Sequence, residues 1–329
     1  MKPMQKIIDD VCQFSPRQGE GETQTSEYIM QFLKQEGIPF KVEEYETIIP
    51  RIHSARLELE DSLYQSPDVE GCSLVGGDIG GHAGIIDSTC PSPFLYEDYS
   101  NLIAHNPYST TASPATFFRI PALAVAKHIH EKILAMKKSG KVSFQGSVQV
   151  EKQSHTGRNI LVGNVDNPKT LFITHYDSIN KGALDNASGV AVVQHAIVNL
   201  RENMQDVLFA ICGTEELSYD KLYWGNGYRA LEKAMPHLFE KADKIVAIDS
   251  VGNAAPTIMN TKADVEICHA AIPLHNFRDV QEKIRVVIGD IYGKNGLFSV
   301  YHSWDDDGRN LSEEHLQTTR DMLISMVQT

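Results

Sequence analysis

Four short polar clusters hold the side chains of this sequence that could do chemistry. His175 and Asp177 follow the apolar run TLFIT, and Asp185 comes ten residues after the histidine. Glu215 and Glu216 follow DVLFAIC through Gly213 and Thr214, Asp249 closes KIVAID, and His302 stands in LFSVYHSWDDD. His175 and His302 offer imidazole nitrogens, while Asp185, Glu216 and Asp249 offer carboxylate oxygens. That mixed donor set suits zinc, and also cobalt or manganese. Five ligands exceed what one catalytic zinc with an open position takes. They match two metals bridged by one carboxylate, the arrangement of two-metal hydrolytic sites. Asp177, two residues past His175, is placed to accept the histidine's second N–H and fix its tautomer. In the pair Glu215–Glu216, one carboxylate can bind metal while its neighbour stays free as a general base. Each piece alone has an ordinary structural explanation, such as a helix cap or a solvated helix start. Their joint occurrence, in order and next to apolar strands, points to a site.

The elements that must position these residues alternate. TLFIT (170–174), DVLFAIC (206–212) and KIVAID (244–249) read as buried strands, and Ser188 to Leu200 reads as a helix with Val190, Val193 and Ile197 on one face. A last helix near 313–327 buries Leu316, Leu323 and Met326. Strands alternating with helices predict an α/β layered domain with a largely parallel sheet, whose carboxyl strand ends form the site. Residues 23–37, with Ile29, Phe32 and Leu33 on one helical face and Gly37 as the stop, add a helix, and KVEEYE adds a short strand. From about residue 50 to 152 the texture changes to alternating stretches such as ARLELE and KVSFQGSVQV, with one helix near AVAKHIHEKILAMKK. This predicts a β-rich insertion into a domain made of 1–49 and 153–329. His128 and His130 in the insertion and His195 in a helix are expected to be surface or core histidines. The run Asp305–Asp307 is expected to be a solvated loop, with Asp305 able to orient His302.

The bulk properties exclude several classes. A formal net charge of -13 argues against a nucleic-acid partner. The five cysteines, Cys12, Cys72, Cys90, Cys212 and Cys268, are odd in number and lack paired spacing, so neither a disulfide framework nor a cysteine zinc site is expected. The opening MKPMQKIIDDVCQFSPRQGE has no apolar core of signal-peptide length, and no apolar run is long enough to span a bilayer. A cytoplasmic location with no membrane partner is the expectation.

With these residues placed, the chain resembles the di-zinc aminopeptidase family that includes the bacterial leucyl aminopeptidases, aminopeptidase Y, glutamate carboxypeptidase II and the transferrin receptor. HYDS, GALDNASG, GTEE, AIDSVG and YHSWDD carry the resemblance, together with RQGEGETQTSEYIMQFLKQEGIPFKVEEYE and RNILVGNVDNPKTLFITHYDS. It covers the chain apart from the insertion, which itself resembles a protease-associated domain at FFRIPALAVAKHIHEKIL. The insertion precedes His175, and the gap from histidine to aspartate is short. Both features separate this chain from the lid-domain carboxypeptidase/deacylase and tetrahedral cytosolic aminopeptidase families.

The resemblance implies a three-layer αβα sandwich around a mixed, mostly parallel sheet and two zinc ions per chain. His175 and Asp249 would hold one ion, Glu216 and His302 the other, and Asp185 both. It also implies Glu215 as general base, Asp177 as the support of His175, Tyr301 as oxyanion stabiliser, and a cis bond between Asp185 and Asn186. The implied activity is that of an aminopeptidase acting on peptides. A dipeptidase or carboxypeptidase of the glutamate carboxypeptidase type, a glutaminyl cyclase and a non-catalytic binding protein are the alternatives. Past Glu216 the chain reads ELSYDKLYWGNGYRAL, a departure from the family pattern, and 253–300 aligns with nothing recognisable.

Overall fold

The computed structural model describes residues 2–80, 82–89, 96, 98–140 and 144–328. The chain opens with helix α1 (Met4–Val11), in which Met4, Ile7, Ile8 and Val11 are buried at i, i+3, i+4 and i+7 spacing. Helix α2 (Glu20–Gln35) follows and buries Ile29, Phe32 and Leu33, and Gly37 leaves it at φ 69°. Strand β1 (Lys41–Leu59) is far longer than the short strand expected from KVEEYE. It pairs antiparallel with β8 (Phe144–Gly163), from Lys41 opposite Leu161 to Leu59 opposite Phe144. Pro50 does not break it. The carbonyl of Ile48 accepts the N–H of Tyr219, so Ile48 and Pro50, two residues apart, both face away from β8. Proline at that position removes no ladder hydrogen bond. The ribbon runs straight through residues 50 and 152 and joins the two halves of the molecule.

Between β1 and β8 lie β2 (Ser62–Tyr64), β3 (Val69–Gly71), β4 (Gly77–Ile79), β5 (Gly84–Asp87), β6 (Leu102–His105), β7 (Ala122–Val125) and α3 (Lys127–Lys138). Four of these strands form a second sheet of order β3-β7-β6-β5. A separate core of Val69, Ile79, Ile103, Leu123, Val125, Ile129, Ile133 and Val148 packs it against α3 and the ribbon.

The remaining elements are β9 (Thr170–His175), α4 (Ser188–Leu200), β10 (Val207–Cys212), α5 (Asn226–Ala234), α6 (Pro236–Lys241), β11 (Lys244–Ile248), β12 (Thr257–Asn260), α7 (Val265–Ala271), α8 (Phe277–Val280), β13 (Ile284–Ile288), α9 (Leu297–Val300) and α10 (Glu313–Gln328). The large sheet has the order β12-β13-β11-β9-β10-β8-β1-β2, with β4 added to β8. Its four middle strands β13, β11, β9 and β10 are parallel, and the flanking pairs are antiparallel.

Alternation along the parallel strands splits the core in two. Phe172, Phe209, Ile211, Val246, Ile248 and Val287 face α1, α2, α4 and α10. Leu171, Ile173, Leu208, Ala210, Ile245, Ala247 and Val286 face α5 to α8. Each fully buried aliphatic or aromatic side chain in these layers contributes roughly 1.5–3 kcal/mol. Helices therefore cover both faces, giving the three-layer αβα sandwich around a mixed sheet that the sequence predicts. Strands β12 and β13 fall within 253–300, where the sequence reading assigned no element. Among the described residues no helix is long and apolar enough to cross a membrane. Cys12, Cys72, Cys212 and Cys268 are buried free thiols, while Cys90 lies outside the described residues.

Candidate metal centre

Strands β11, β9 and β10 lie side by side, so their carboxyl ends form one edge. His175 is the last residue of β9, Asp249 follows β11, and Glu215 and Glu216 follow β10 after a two-residue turn. Asp185 sits in the turn Ala183–Ala187 that starts α4. His302 is the exception to the expected pattern: no strand delivers it. It sits just past the short helix α9, at φ 53°.

The structure brings all five candidate ligands together. Asp185 presents one oxygen to each histidine, Oδ1 at 3.2 Å from His175 Nε2 and Oδ2 at 3.7 Å from His302 Nε2. Asp249 Oδ1 is 3.7 Å from His175 Nε2, and Glu216 Oε2 is 2.8 Å from His302 Nε2. The donors form two overlapping groups, His175–Asp185–Asp249 and Asp185–Glu216–His302, each with its ligand atoms within 4.8 Å of one another. All but Asp249 are buried. Glu216 Oε1 is buried with no hydrogen-bond partner among the described residues, so its lone pair is left for a bound group. Two imidazole nitrogens and three carboxylates, converging on one point of the sheet edge, fit divalent zinc in two positions sharing Asp185.

The electrostatics agree with a site built for cations. Burial, with the nearby carboxylates of Glu216, Asp177 and Asp249, pushes Glu215 well above the usual carboxylate range. Burial and the Asp185 charge raise Glu216 to about 7 despite His302. Burial alone would lower His302, but the Glu216 and Asp185 carboxylates raise it to about 9. This crowd of negative charge is what a metal ion would neutralise.

Asp177 is fully buried, with Oδ1 3.5 Å from His175 Nδ1. It does more than the sequence suggested. Its two oxygens accept the backbone N–H groups of Glu215 and Glu216, each at 2.9 Å. Its side chain thus fixes the backbone of both glutamates, while its main-chain carbonyl meets His175 Nδ1 at 3.3 Å. Asn186 performs a similar task on the other side. Its Nδ2 donates to Thr174 Oγ1 and to the carbonyl of Ile248, and its Oδ1 accepts from Gly189 N, tying the turn to β9 and β11. A Cβ on Gly189 would lie 2.3 Å from Asn186 Oδ1, so only glycine fits there. The Asp185–Asn186 peptide is cis, as the resemblance implies.

Two expectations are corrected. The run Asp305–Asp307 is not a solvated loop throughout: Asp306 is 2% exposed, and its carboxylate accepts the N–H groups of Leu184 (2.7 Å) and Asp185 (3.0 Å). Nor does Asp305 orient His302. Asp305 Oδ2 accepts from Thr111 Oγ1, and His302 Nδ1 instead meets the carbonyl of Pro114 at 3.0 Å. The aspartates were read by charge alone, whereas the chain turns one of them inward to cap backbone donors.

Sequence reasoning missed two supports. Arg17 is fully buried and donates to the carbonyls of Tyr176 (2.6 Å), Lys181 (3.1 Å) and Gly182 (2.8 Å), which holds the loop between His175 and Asp185. Glu22 accepts from Thr214 Oγ1 at 2.9 Å and lies 3.1 Å from His155 Nε2, directly behind the Glu215 turn. For Glu22 the signal is a charged residue on the inward face of an amphipathic helix, whereas Arg17 lies in the turn before it and carries no such mark. Asn180, Thr214, Ser250 and His302 all hold positive φ without being glycine, and each lies within or beside the cluster. Such strain gathers where a site over-determines the backbone. Tyr301 lines the same cavity, its ring stacked on His302 with centroids 3.7 Å apart. The cavity, of about 1170 Å³, is walled by α7, α8, β13 and α9, by the 222–224 loop, and by Ala115 and Thr116 from between β6 and β7.

Residues 160–266 match the model of peptidase family M28. The matched segment contains His175, Asp177, Asp185, Glu215, Glu216 and Asp249, and leaves His302 outside. No curated protein matches the chain. Among solved structures, it is similar to BSAP, a zinc aminopeptidase from Bacillus subtilis, at 15% identity and TM-score 0.68, covering 99% of this chain and 93% of that one. It is similar to an aminopeptidase from Aneurinibacillus sp. strain AM-1 at 14% identity and TM-score 0.60, covering 98% and 92%. It is also similar to the glutaminyl cyclase of Porphyromonas gingivalis at 11% identity and TM-score 0.53, covering 99% and 96%. At these identities the likeness shows the fold.

Proposed function

We propose that this chain is a zinc-dependent exopeptidase that removes N-terminal residues from peptides, with two zinc ions per chain. The observation that carries this reading is the pair of donor groups sharing Asp185, with Glu215 beside them and committed to neither. His175 and Asp249 would hold one ion, Glu216 and His302 the other, and Asp185 both. When bound, such ions lower the pKa of water towards neutrality and polarise a carbonyl. Glu215 is the base that takes the proton from the attacking water and hands it to the leaving amine. The Tyr301 hydroxyl, beside His302 in the cavity wall, donates to the oxyanion that develops on the substrate. Asp177 keeps Glu215 and Glu216 fixed through their backbone N–H groups, so neither must be ordered during turnover.

The choice of the amino end rests on charge. Among the described residues lining the cavity, the one arginine or lysine is Arg278, and its side chain is exposed. A carboxypeptidase needs a cation for the substrate carboxylate. Beyond the proposed ligands and Glu215, the wall adds the carboxylates of Glu266 and Asp279, which suit a free ammonium group. We read residues 50–152 as an inserted protease-associated-like module that completes this wall through Ala115 and Thr116. The test is an assay of the purified, zinc-supplemented chain on amino-acid arylamides, N-blocked dipeptides and peptides with N-terminal glutamine. Hydrolysis of the arylamides alone supports the reading. Release of ammonia from the glutaminyl peptide without hydrolysis would make it a cyclase instead, the second activity found on this fold.

A further inference from the structure

His302 is held from two sides, and one of them is the inserted region. Its backbone carbonyl accepts from Asn180 Nδ2 at 2.9 Å, while its ring Nδ1 meets the Pro114 carbonyl at 3.0 Å. A carbonyl can only accept, so Nδ1 carries a hydrogen and Nε2 is the nitrogen left to face Asp185 and Glu216 and to bind an ion there. Around that bond the same segment grips the backbone before His302. Ser113 Oγ donates to the Tyr301 carbonyl at 2.6 Å, and Asn106 Nδ2 donates to the Phe298 carbonyl and to Ser113 Oγ, both at 2.9 Å. Asn106 Oδ1 accepts from Tyr108 N, so both ends of its amide are engaged. Asn106 is 1% exposed, Ser113 0% and His302 3%. The contacts from Asn106, Ser113 and Pro114 to residues 298–302 span nearly two hundred positions and include the ring nitrogen itself, whereas the His175 ring is met by Asp177 of its own loop and Arg17 grips only the backbone beyond it. The left-handed backbone of His302 also needs such an external hold.

We propose that the segment Asn106–Pro114 is a positioning element for His302, with Asn106 and Ser113 as positioning residues that set the zinc affinity of the Asp185–Glu216–His302 half of the centre. This rests on the two-zinc reading above. Outer supports of metal-bound histidines typically govern about 10–100-fold in metal affinity. The experiment is a chelator-competition titration of zinc on the wild-type chain and on Asn106→Ala and Ser113→Ala. His302→Ala serves as the reference that marks which dissociation step belongs to His302. Thermal melts of the metal-free proteins are recorded alongside. The expected result is that each variant loses one zinc roughly 10–100-fold more readily. The other zinc stays as in wild type, and the metal-free melting midpoint falls by only a few degrees, the cost of the lost buried hydrogen bonds. Folded variants with both affinities unchanged overturn the proposal. So do variants in which both zincs weaken together with the metal-free fold, which marks a merely structural role. Should Asn106→Ala fail to fold, Ser113→Ala, the loss of one hydroxyl, carries the test. A wild-type chain that binds no zinc overturns the functional reading itself, and this proposal with it.

Discussion

The two halves of the candidate centre are built by different means. His175, Asp185 and Asp249 come from the ends of β9 and β11 and from the turn entering α4. Parallel strand order brings the strand ends close, Asn186 locks the turn to both strands, and Arg17 and Asp306 hold the turn's backbone from outside the sheet. Glu216 and His302 meet over a longer route. Glu216 ends a left-handed turn braced by Asp177 and Glu22, and His302 follows a four-residue helix and is clamped by the inserted region. The first half is therefore a product of the sheet. The second depends on contacts between segments that share no strand. The candidate position at the strand ends is placed first by sheet order and then braced, whereas the one that His302 completes depends on braces throughout.

The largest expected effect comes from erasing the contrast. Asp185→Ala removes the one carboxylate that faces both histidines, so both zincs and all measurable turnover should be lost, as elemental analysis and an arylamide assay would record. Retention of two tight zincs would break the comparison at its shared point. Next is Glu215→Gln, which leaves both halves intact and removes only the base. It should keep two zincs while kcat falls about 10²–10⁴-fold. Tyr301→Phe belongs to the second half alone. Losing one oxyanion donor should lower kcat by about 10²-fold with zinc content unchanged. If kcat were unaffected while KM rose, the tyrosine would be a wall of the cavity only.

The smallest effect concerns the brace behind Glu215. Burial raises Glu22, and although burial alone would lower His155, the Glu22 carboxylate raises it above 6.5. Both folded values lie above the unfolded ones. The stabilisation is therefore complete at low pH, below the unfolded values, and the His155 part is lost as pH rises from about 6.5 through its raised value. Melts in chelator should show wild type losing stability over that window by a component missing from Glu22→Gln. The difference should be about 2 °C, the shift for ~1 kcal/mol in a chain of this size. Parallel pH curves for the two proteins would remove the brace from the account.

The contrast between the halves also explains what could be read from sequence. TLFIT, DVLFAIC and KIVAID are continuous apolar runs, as strands buried on both faces must be, so the residues at their ends declare themselves. Helix α4 and the α/β layering follow from the same periodicity, and the three-layer arrangement from the family resemblance. His302 was recognisable by type but not by placement, because its support is a hydrogen bond to a backbone carbonyl at Pro114, which leaves no mark in side-chain pattern. Asp306 looked like one of three solvated aspartates, since charge alone does not reveal which side chain caps a buried turn. The length of β1 was hidden by Pro50, whose unpaired side only the register discloses. Helix α1 is legible in the spacing of Met4, Ile7, Ile8 and Val11.

The central claim is a pair of metal positions sharing Asp185. Anomalous diffraction from crystals of the zinc-soaked chain tests it most directly. The account predicts two peaks roughly 3.5–4 Å apart, one against His175 and Asp249, the other against Glu216 and His302, with Asp185 between them. A single peak, or none at these residues with zinc in excess, would contradict it.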